Sequence, residues 1–337
     1  MRMRYFAGID GGGTKTSVAL VDETGRIAGT GSRGPANPRS RGTDPAAENI
    51  ASAVRDALTA AVATLADLAG ICACLAGLDT ELDLPAPRLA LERLGYDGPA
   101  ILENDVVGAW AAATEGAPGI VAIAGTGSTA LGMNARGKLW RTDGWDYLLG
   151  DAGSGYAIGQ AGIQTAMKAL DGRHASTLLA RELGARFGIG DAEEMRRLVD
   201  RGPFGKLEIA SFAVHVSRAA DAGDAAAREI LAQAGCELGS QVTAIVRTLE
   251  MEGEAFPVGT AGSVFSSAPW VTEPFAAAVH AVAPQAEVRT LRRPPEVAAA
   301  LLGWQRLRDG DTGSWTLGSG RRRIPRSASV ESVGRLP

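Results

Sequence analysis

The chain has 337 residues, 45 % hydrophobic and 21 % charged, which supports about two folded domains and excludes wholesale disorder. Its 34 Lys and Arg against 38 Asp and Glu leave a net charge of −4, so the bulk of the chain carries no basic footprint for nucleic acid. Three cysteines cannot supply a disulfide framework at this length, and neither a secretory apolar region nor an 18-residue apolar span is present. The expectation is a cytoplasmic protein with no membrane or nucleic-acid partner.

Residues 5–9 read as a strand that ends at Asp10-Gly-Gly-Gly-Thr14. A second apolar run, 16–22, stops at Glu23-Thr-Gly-Arg26, and a third follows over 27–31. Residues 44–68 are Ala-rich, with Ile50, Val54, Leu58, Val62 and Leu65 three or four apart, which predicts an amphipathic helix entered at Asp44-Pro45. A strand over 71–76, a helix over 85–94, a strand over 100–103 and a helix over 105–115 come next. Cys72 and Cys74 fall inside the first of these strands, as small hydrophobes rather than metal ligands.

The pattern restarts at Gly119. A strand over 120–124 is closed by Gly125-Thr-Gly-Ser128, and strands over 129–133 and 138–141 flank the turn Asn134-Ala-Arg-Gly137. One device used twice predicts two related α/β halves, 1–115 and 116–309, the second carrying a helical insertion over about 155–249. That half closes with a strand over 256–259, the turn Thr260-Ala-Gly-Ser263 and a helix over 294–308. From 310 to 337 the chain loses periodicity and apolar content, and a disordered tail is expected.

The glycine-rich turns are the first candidates for chemistry. Asp10-Gly-Gly-Gly-Thr-Lys15 follows a strand and precedes another, so it is neither a dinucleotide fingerprint nor a P-loop. Gly12 and Gly13 would let backbone N–H groups approach phosphate oxygens, and Thr14 adds a hydroxyl. Asp10 cannot face a phosphate unaided, which implies a hydrated Mg²⁺ between them; an ordinary glycine hairpin has the same sequence look. Gly125, Thr126 and Gly127 repeat the phosphate-loop chemistry, where a side chain on Gly127 would block backbone approach. Gly262 and Ser263 suit the close approach of a base or ribose, or form a plain strand-to-helix turn. Asp105 ends a strand and opens a helix, so its carboxylate sits at the carboxyl edge of a sheet, as a general base or as a helix N-cap.

Taken together, these motifs resemble the actin-like ATPase superfamily of sugar kinases and Hsp70-type ATPases. Within it, Asp10-Gly-Gly-Gly-Thr-Lys-Thr16, Asn104-Asp105, Gly125-Thr-Gly-Ser128, Gly144-Trp145, Gly150-Asp151 with Gly153-Ser154, and Ala261-Gly-Ser-Val-Phe265 occur in order over about residues 5–305. They resemble the BadF/BadG/BcrA/BcrD ATPase family, specifically its N-acetylglucosamine and glucosamine kinase members. The resemblance implies an α/β fold of duplicated actin-like (ribonuclease H-like) domains with the active site in the cleft between halves. It further implies ATP and Mg²⁺ as cofactors, a small amino sugar phosphorylated at its 6-hydroxyl, and admits a homodimer.

The implied roles follow residue by residue. Asp105 accepts the proton of the sugar 6-hydroxyl; Asp10 holds Mg²⁺ through water; Gly12, Gly13, Thr14, Gly125, Thr126, Gly127, Gly262 and Ser263 bind ATP. Asn37, Ser128, Thr129, Gly144, Trp145 and Asp151 join Asp105 around the sugar. Trp145 is otherwise a core aromatic. Thr129 stands where the family often has asparagine, and Asp146 where it often has glycine, an added charge that would suit a cationic amine. A kinase for another amino sugar such as N-acetylmuramate is the nearest alternative. The family's activator branch needs cluster-binding cysteines near the second phosphate loop, and none lies between Cys74 and Cys236. A sugar-sensing regulator would need a DNA-binding helix-turn-helix, and only four residues precede the first strand.

Overall fold

Side-chain alternation along β1 (Tyr5–Gly11) organises the first sheet. β1 pairs antiparallel with β2 (Thr16–Asp22), which pairs antiparallel with β3 (Ile27–Arg33); on its other side β1 runs parallel to β4 (Leu68–Leu75), and β4 to β5 (Ala100–Asn104). The order is β3-β2-β1-β4-β5. The helices beside this sheet are α1 (Pro38–Arg41), α2 (Thr43–Ala60), α3 (Pro85–Leu94) and α4 (Asp105–Thr114). Tyr5, Ala7 and Ile9 join Val18 and Leu20 in a core with Ile50, Val54 and Leu58 of α2 and Ala90 and Leu94 of α3. Phe6 points the other way, with Ala19, Val21, Cys72 and Cys74, onto Val297, Ala299 and Ala300 of a helix at Pro295–Arg308. A period of two thus assigns each residue to one helical layer.

The computed structural model describes residues 4–202, 204–267 and 269–310; the expected tail lies, from 311 onward, outside the described residues. Contacts divide the chain into two compact units: Met1–Gly119, Met133–Trp140 and the chain from Leu291, then Ile120–Gly132 with Arg141–Thr290. The sequence division gave the last helix to the second half. It belongs instead to the first unit, packed on β1, β2, β4 and α4. Gly8 makes this approach possible, because a β-carbon there would overlap the Glu296 carbonyl and Ala300. The helix is pinned by Arg306, whose Nη1 donates to Glu103 Oε1 at 2.6 Å with both side chains at most 1 % exposed.

Other boundaries moved too. The helix expected over 44–68 ends at Ala60, because Val62 adopts φ +53° and Thr64 donates through its N–H and hydroxyl to Asp67, forming a separate turn over Leu65–Asp67. Leu65 still packs on the same core, which is why its spacing imitated one helix. The entry is at Thr43, so Pro45 is the third helical residue, where no N–H is needed. Cys72 and Cys74 are buried, and the Cys74 thiol is pushed up by its hydrogen bond with Cys72 and by burial. Among the described residues no group of three His, Cys, Asp or Glu stands ready to hold a metal ion.

The second unit repeats the plan. β6 (Gly119–Ala124), β7 (Ser128–Met133), β8 (Leu139–Asp143), β9 (Pro257–Ala261) and β10 (Glu287–Thr290) are ordered β10-β9-β6-β7-β8, the first sheet's order again. β9 runs parallel to both β6 and β10. Between β8 and β9 come α5 (Gly155–Leu170), α6 (Leu178–Phe187), α7 (Ala192–Arg201), α8 (Lys206–Ser211), α9 (Ala213–Asp221) and α10 (Ala225–Leu249). α11 (Thr272–Val282) and β10 had no counterpart in the sequence reading; α11 is held by Phe275 and Val279, fully buried and only four apart. Among the described residues no helix is long and apolar enough to cross a membrane.

Candidate active site

In the first unit, the parallel strands set Gly11, Leu75 and Asn104 in register, so Asp10 and Asp105 reach the same sheet edge two strands apart, roughly 10 Å at the usual strand spacing. Asn104 Oδ1 accepts from Val106 N at 3.1 Å and caps α4. Asp105 is therefore the first helical residue and not the N-cap, which removes the capping explanation for its presence. Asn104 Nδ2 donates to Asp79 Oδ1 at 3.0 Å, and Asp79 also pairs with Arg39 at 3.2 Å. Asn37 caps α1 by accepting from Arg39 N at 2.9 Å, beside Gly77. Three loops thus gather Asn37, Asp79, Asn104 and Asp105. Asp79 escaped the sequence reading; it follows a strand end, the one signal that could have marked it.

The glycine hairpin closes through Gly12 N to Lys15 O at 2.9 Å, leaving Gly13 and Thr14 exposed. A β-carbon on Gly13 would meet nothing. Beneath the hairpin, burial pushes the Asp10 carboxyl up to about 7, with the negative charges of Asp105 and Glu296 adding to it and Lys15 opposing. An acid whose folded pKa lies above its ordinary 3.8 keeps a proton that the unfolded chain releases. Its contribution to stability is therefore lost as pH rises from about 4 to about 7. Asp10→Asn is expected to raise the melting temperature at pH 8 without metal, the gain vanishing near pH 4, and to raise the Mg²⁺ concentration for half-maximal turnover. Melting curves at both pH values and a Mg²⁺ titration check this; two null results would leave Asp10 as a turn residue.

In the second unit, the carbonyls of Gly125 and Thr126 accept from Gly155 N at 2.7 Å and Tyr156 N at 3.2 Å, so the second glycine turn is hung on the start of α5. Gly262, at φ +97°, presses its turn against β6 so closely that a β-carbon would overlap the Ala124 carbonyl. Both turns line one cavity of ≈ 350 Å³, with Gly125 and Thr126 on one side and Ser263 and Val264 on another. Leu207, Ser211 and Val214 are among the other residues of its wall; nothing in their spacing had marked them.

Asp151 is 4 % exposed at φ +61°. Its Oδ1 accepts from Ser128 N at 2.9 Å and its Oδ2 from Lys206 Nζ at 2.8 Å. Lys206 also donates to Asp146 Oδ1 at 2.9 Å. Burial works to lower the ammonium's pKa, but the two carboxylates outweigh it and hold it above its ordinary value. Asp146 thus shares this one ammonium with Asp151, two carboxylates against a single cation. Asp143 Oδ1 receives Gly144 N and Asp151 N, each at 2.7 Å, and its Oδ2 receives Gln241 Nε2 at 3.0 Å, closing the 144–151 loop. Gln241 also reaches Ser128 Oγ at 3.2 Å.

Not every expected residue faces this cluster. The Thr129 hydroxyl accepts from Arg141 Nε and donates to Thr142 O, both at 3.1 Å, so its bonds run along β8. Trp145 is 67 % exposed, which rules out a core aromatic. A β-carbon on Gly127 would lie 2.6 Å from Asp151 Oδ1, whereas one on Gly125 meets nothing. Gly125, not Gly127, is thus the clean position for testing phosphate approach. Lys206, Asp143 and Gln241 were missed altogether, since single polar residues far apart in sequence carry no pattern.

Known proteins resemble this chain in sequence and fold. An N-acetylmuramic acid/N-acetylglucosamine kinase of Clostridium acetobutylicum is 29 % identical over 300 residues, 89 % of this chain and 98 % of that one. The N-acetyl-D-glucosamine kinase of Dictyostelium discoideum is 29 % identical over 313 residues, 90 % and 98 % of the two chains. A Chromobacterium violaceum crystal structure, described as a candidate N-acetylglucosamine kinase, superposes with a TM-score of 0.74 at 26 % identity, covering 90 % of this chain and all of that one. A ROK family glucokinase from Streptomyces griseus shares the fold, with a TM-score of 0.56 at 19 % identity over 88 % of this chain and 98 % of its own. The family model itself matches residues 7–301, from β1 into the last helix and so across both copies of the repeated sheet: the chain belongs to the BadF/BadG/BcrA/BcrD ATPase family.

Proposed function

We propose that the protein is an ATP-dependent amino-sugar kinase that phosphorylates the 6-hydroxyl of N-acetylglucosamine or glucosamine. The observation that carries this reading is the cavity lined by both small-residue turns, Gly125–Thr126 and Ser263, which suits a nucleotide whose phosphates and ribose need close backbone approach. Phosphoryl transfer asks chiefly for positioning and charge neutralisation. Gly12, Gly13 and Thr14 with Gly125, Thr126 and Gly127 take the phosphates, and Gly262 and Ser263 the adenosine. Asp105 accepts the hydroxyl proton. Asn37, Ser128, Thr129, Gly144, Trp145 and Asp151 hold the sugar, Thr129 through its backbone. The negative charges of Asp105 and Glu296 bear on Asp10, a repulsion that Mg²⁺ held by Asp10 through water would relieve. Bound there, Mg²⁺ would neutralise phosphate charge.

N-acetylglucosamine is the first choice because the two relatives matched over about nine-tenths of this chain are named for N-acetylated sugars. Kinetics with glucosamine, N-acetylglucosamine, N-acetylmuramate and glucose, each with ATP and Mg²⁺, test the reading. The highest kcat/KM is expected for an N-acetylated sugar; turnover of none, or of glucose best, would refute it. Gly125→Val is expected to weaken nucleotide binding about tenfold or more, some 1.4 kcal/mol, at an unchanged melting temperature because its side chain enters open space. Unaltered affinity by calorimetry would remove the phosphate turn from the site.

A further inference from the structure

α8 touches two parts of the second unit at once. Its first residue, Lys206, bonds Asp151 at 2.8 Å and Asp146 at 2.9 Å, with its ammonium 5.3 Å from the Tyr147 ring centroid. Its following residues Leu207, Ala210 and Ser211 line the cavity beside Gly125 and Thr126. The helix is seated hard on α5, where a β-carbon on Gly159 would overlap the Ile209 carbonyl, which holds its six residues against that helix. Asp151, at the far end of the lysine bond, also holds Ser128 N next to the phosphate turn. Leu207 is 64 % exposed and would be covered by anything filling the cavity. An occupant of the cavity would therefore contact α8 directly.

We propose that Lys206 is a positioning residue that couples the cavity to Asp151, so that a nucleotide seated against α8 fixes the Asp151 carboxylate for the sugar and tightens sugar binding. The inference rests on the reading of the cavity as the nucleotide site and of Asp151 as a sugar ligand. A lysine does this better than a neutral residue because one ammonium donates charge-assisted hydrogen bonds to two carboxylates at once. The coupling is reciprocal, so the sugar tightens nucleotide binding by the same factor.

Calorimetry of N-acetylglucosamine binding, with and without a non-hydrolysable ATP analogue and Mg²⁺, tests it. The wild type is expected to bind the sugar about fivefold or more tightly with the analogue present, within the usual span of allosteric coupling. Lys206→Met is expected to bring that ratio close to one while leaving the affinity for the analogue alone unchanged, and Lys206→Arg to restore most of the ratio. A merely structural lysine would lower the melting temperature and both affinities without altering the ratio. A wild-type ratio of one, or an equal ratio in wild type and Lys206→Met, overturns the proposal, and the wild-type ratio decides even if the Met variant folds poorly. Turnover of the wild type, assayed on the same preparation, separates the two failures: no turnover sinks the kinase reading, whereas turnover with a ratio of one sinks only the coupling.

Discussion

Asp105→Asn is expected to lower turnover by about 10²–10⁴-fold, the usual worth of a positioned base, while sugar and nucleotide binding and the melting temperature stay near wild type. The structure sharpens this test. Asn104 supplies the α4 cap, so asparagine at 105 neither creates nor removes a cap, and a loss of activity cannot be blamed on a frayed helix. A small stability gain is even expected at neutral pH, since the substitution removes one of the charges that raise the Asp10 carboxyl. Turnover and thermal melting measured side by side are decisive. A variant as stable and as fast as wild type would remove Asp105 from the mechanism and with it the main chemical reason for a kinase.

The largest expected effect on stability lies behind that site. Arg306→Met leaves the Glu103 carboxylate buried without the 2.6 Å ion pair it now makes; breaking such a pair typically costs about 3–5 kcal/mol. In units of this size that corresponds to a fall in melting temperature of roughly 6–20 °C. Glu103→Leu combined with Arg306→Met should recover most of the loss, because replacing both members of a buried pair with apolar groups is often neutral. Glu103 lies two residues before Asp105 on β5, so the single variant should also lose turnover beyond its loss of folded protein. Wild-type melting of Arg306→Met would show that the last helix is held by its apolar face alone.

The outline of the fold was legible wherever the cause is local. β2 and α3 begin and end at the expected residues, because an apolar run between turns, or a Pro at the start and a Gly at the end, states its own boundaries. The two glycine-rich turns were legible for the same reason, and their repetition announced the duplicated sheet. Local periodicity misled where a non-helical segment reaches the same core. Leu65 continues the spacing of α2 and packs on its core although the chain has already left the helix, whereas Val62, which fits the same spacing, is exposed.

What the residues alone settle about this protein is which side chains point inward and where backbone can come close to a ligand, since alternation, helical spacing and glycine act within a few positions of one another. What tertiary structure decided is which distant groups meet. Periodicity makes the last helix amphipathic but does not say which sheet it lands on; Gly8 and the Glu103–Arg306 pair decide that. Likewise Asp151 stands out as a candidate from its glycine-rich setting, yet its partner Lys206 lies 55 residues away in the helical insertion. A single charge carries no period, and only the packing of α8 on α5 brings it to the carboxylate it serves.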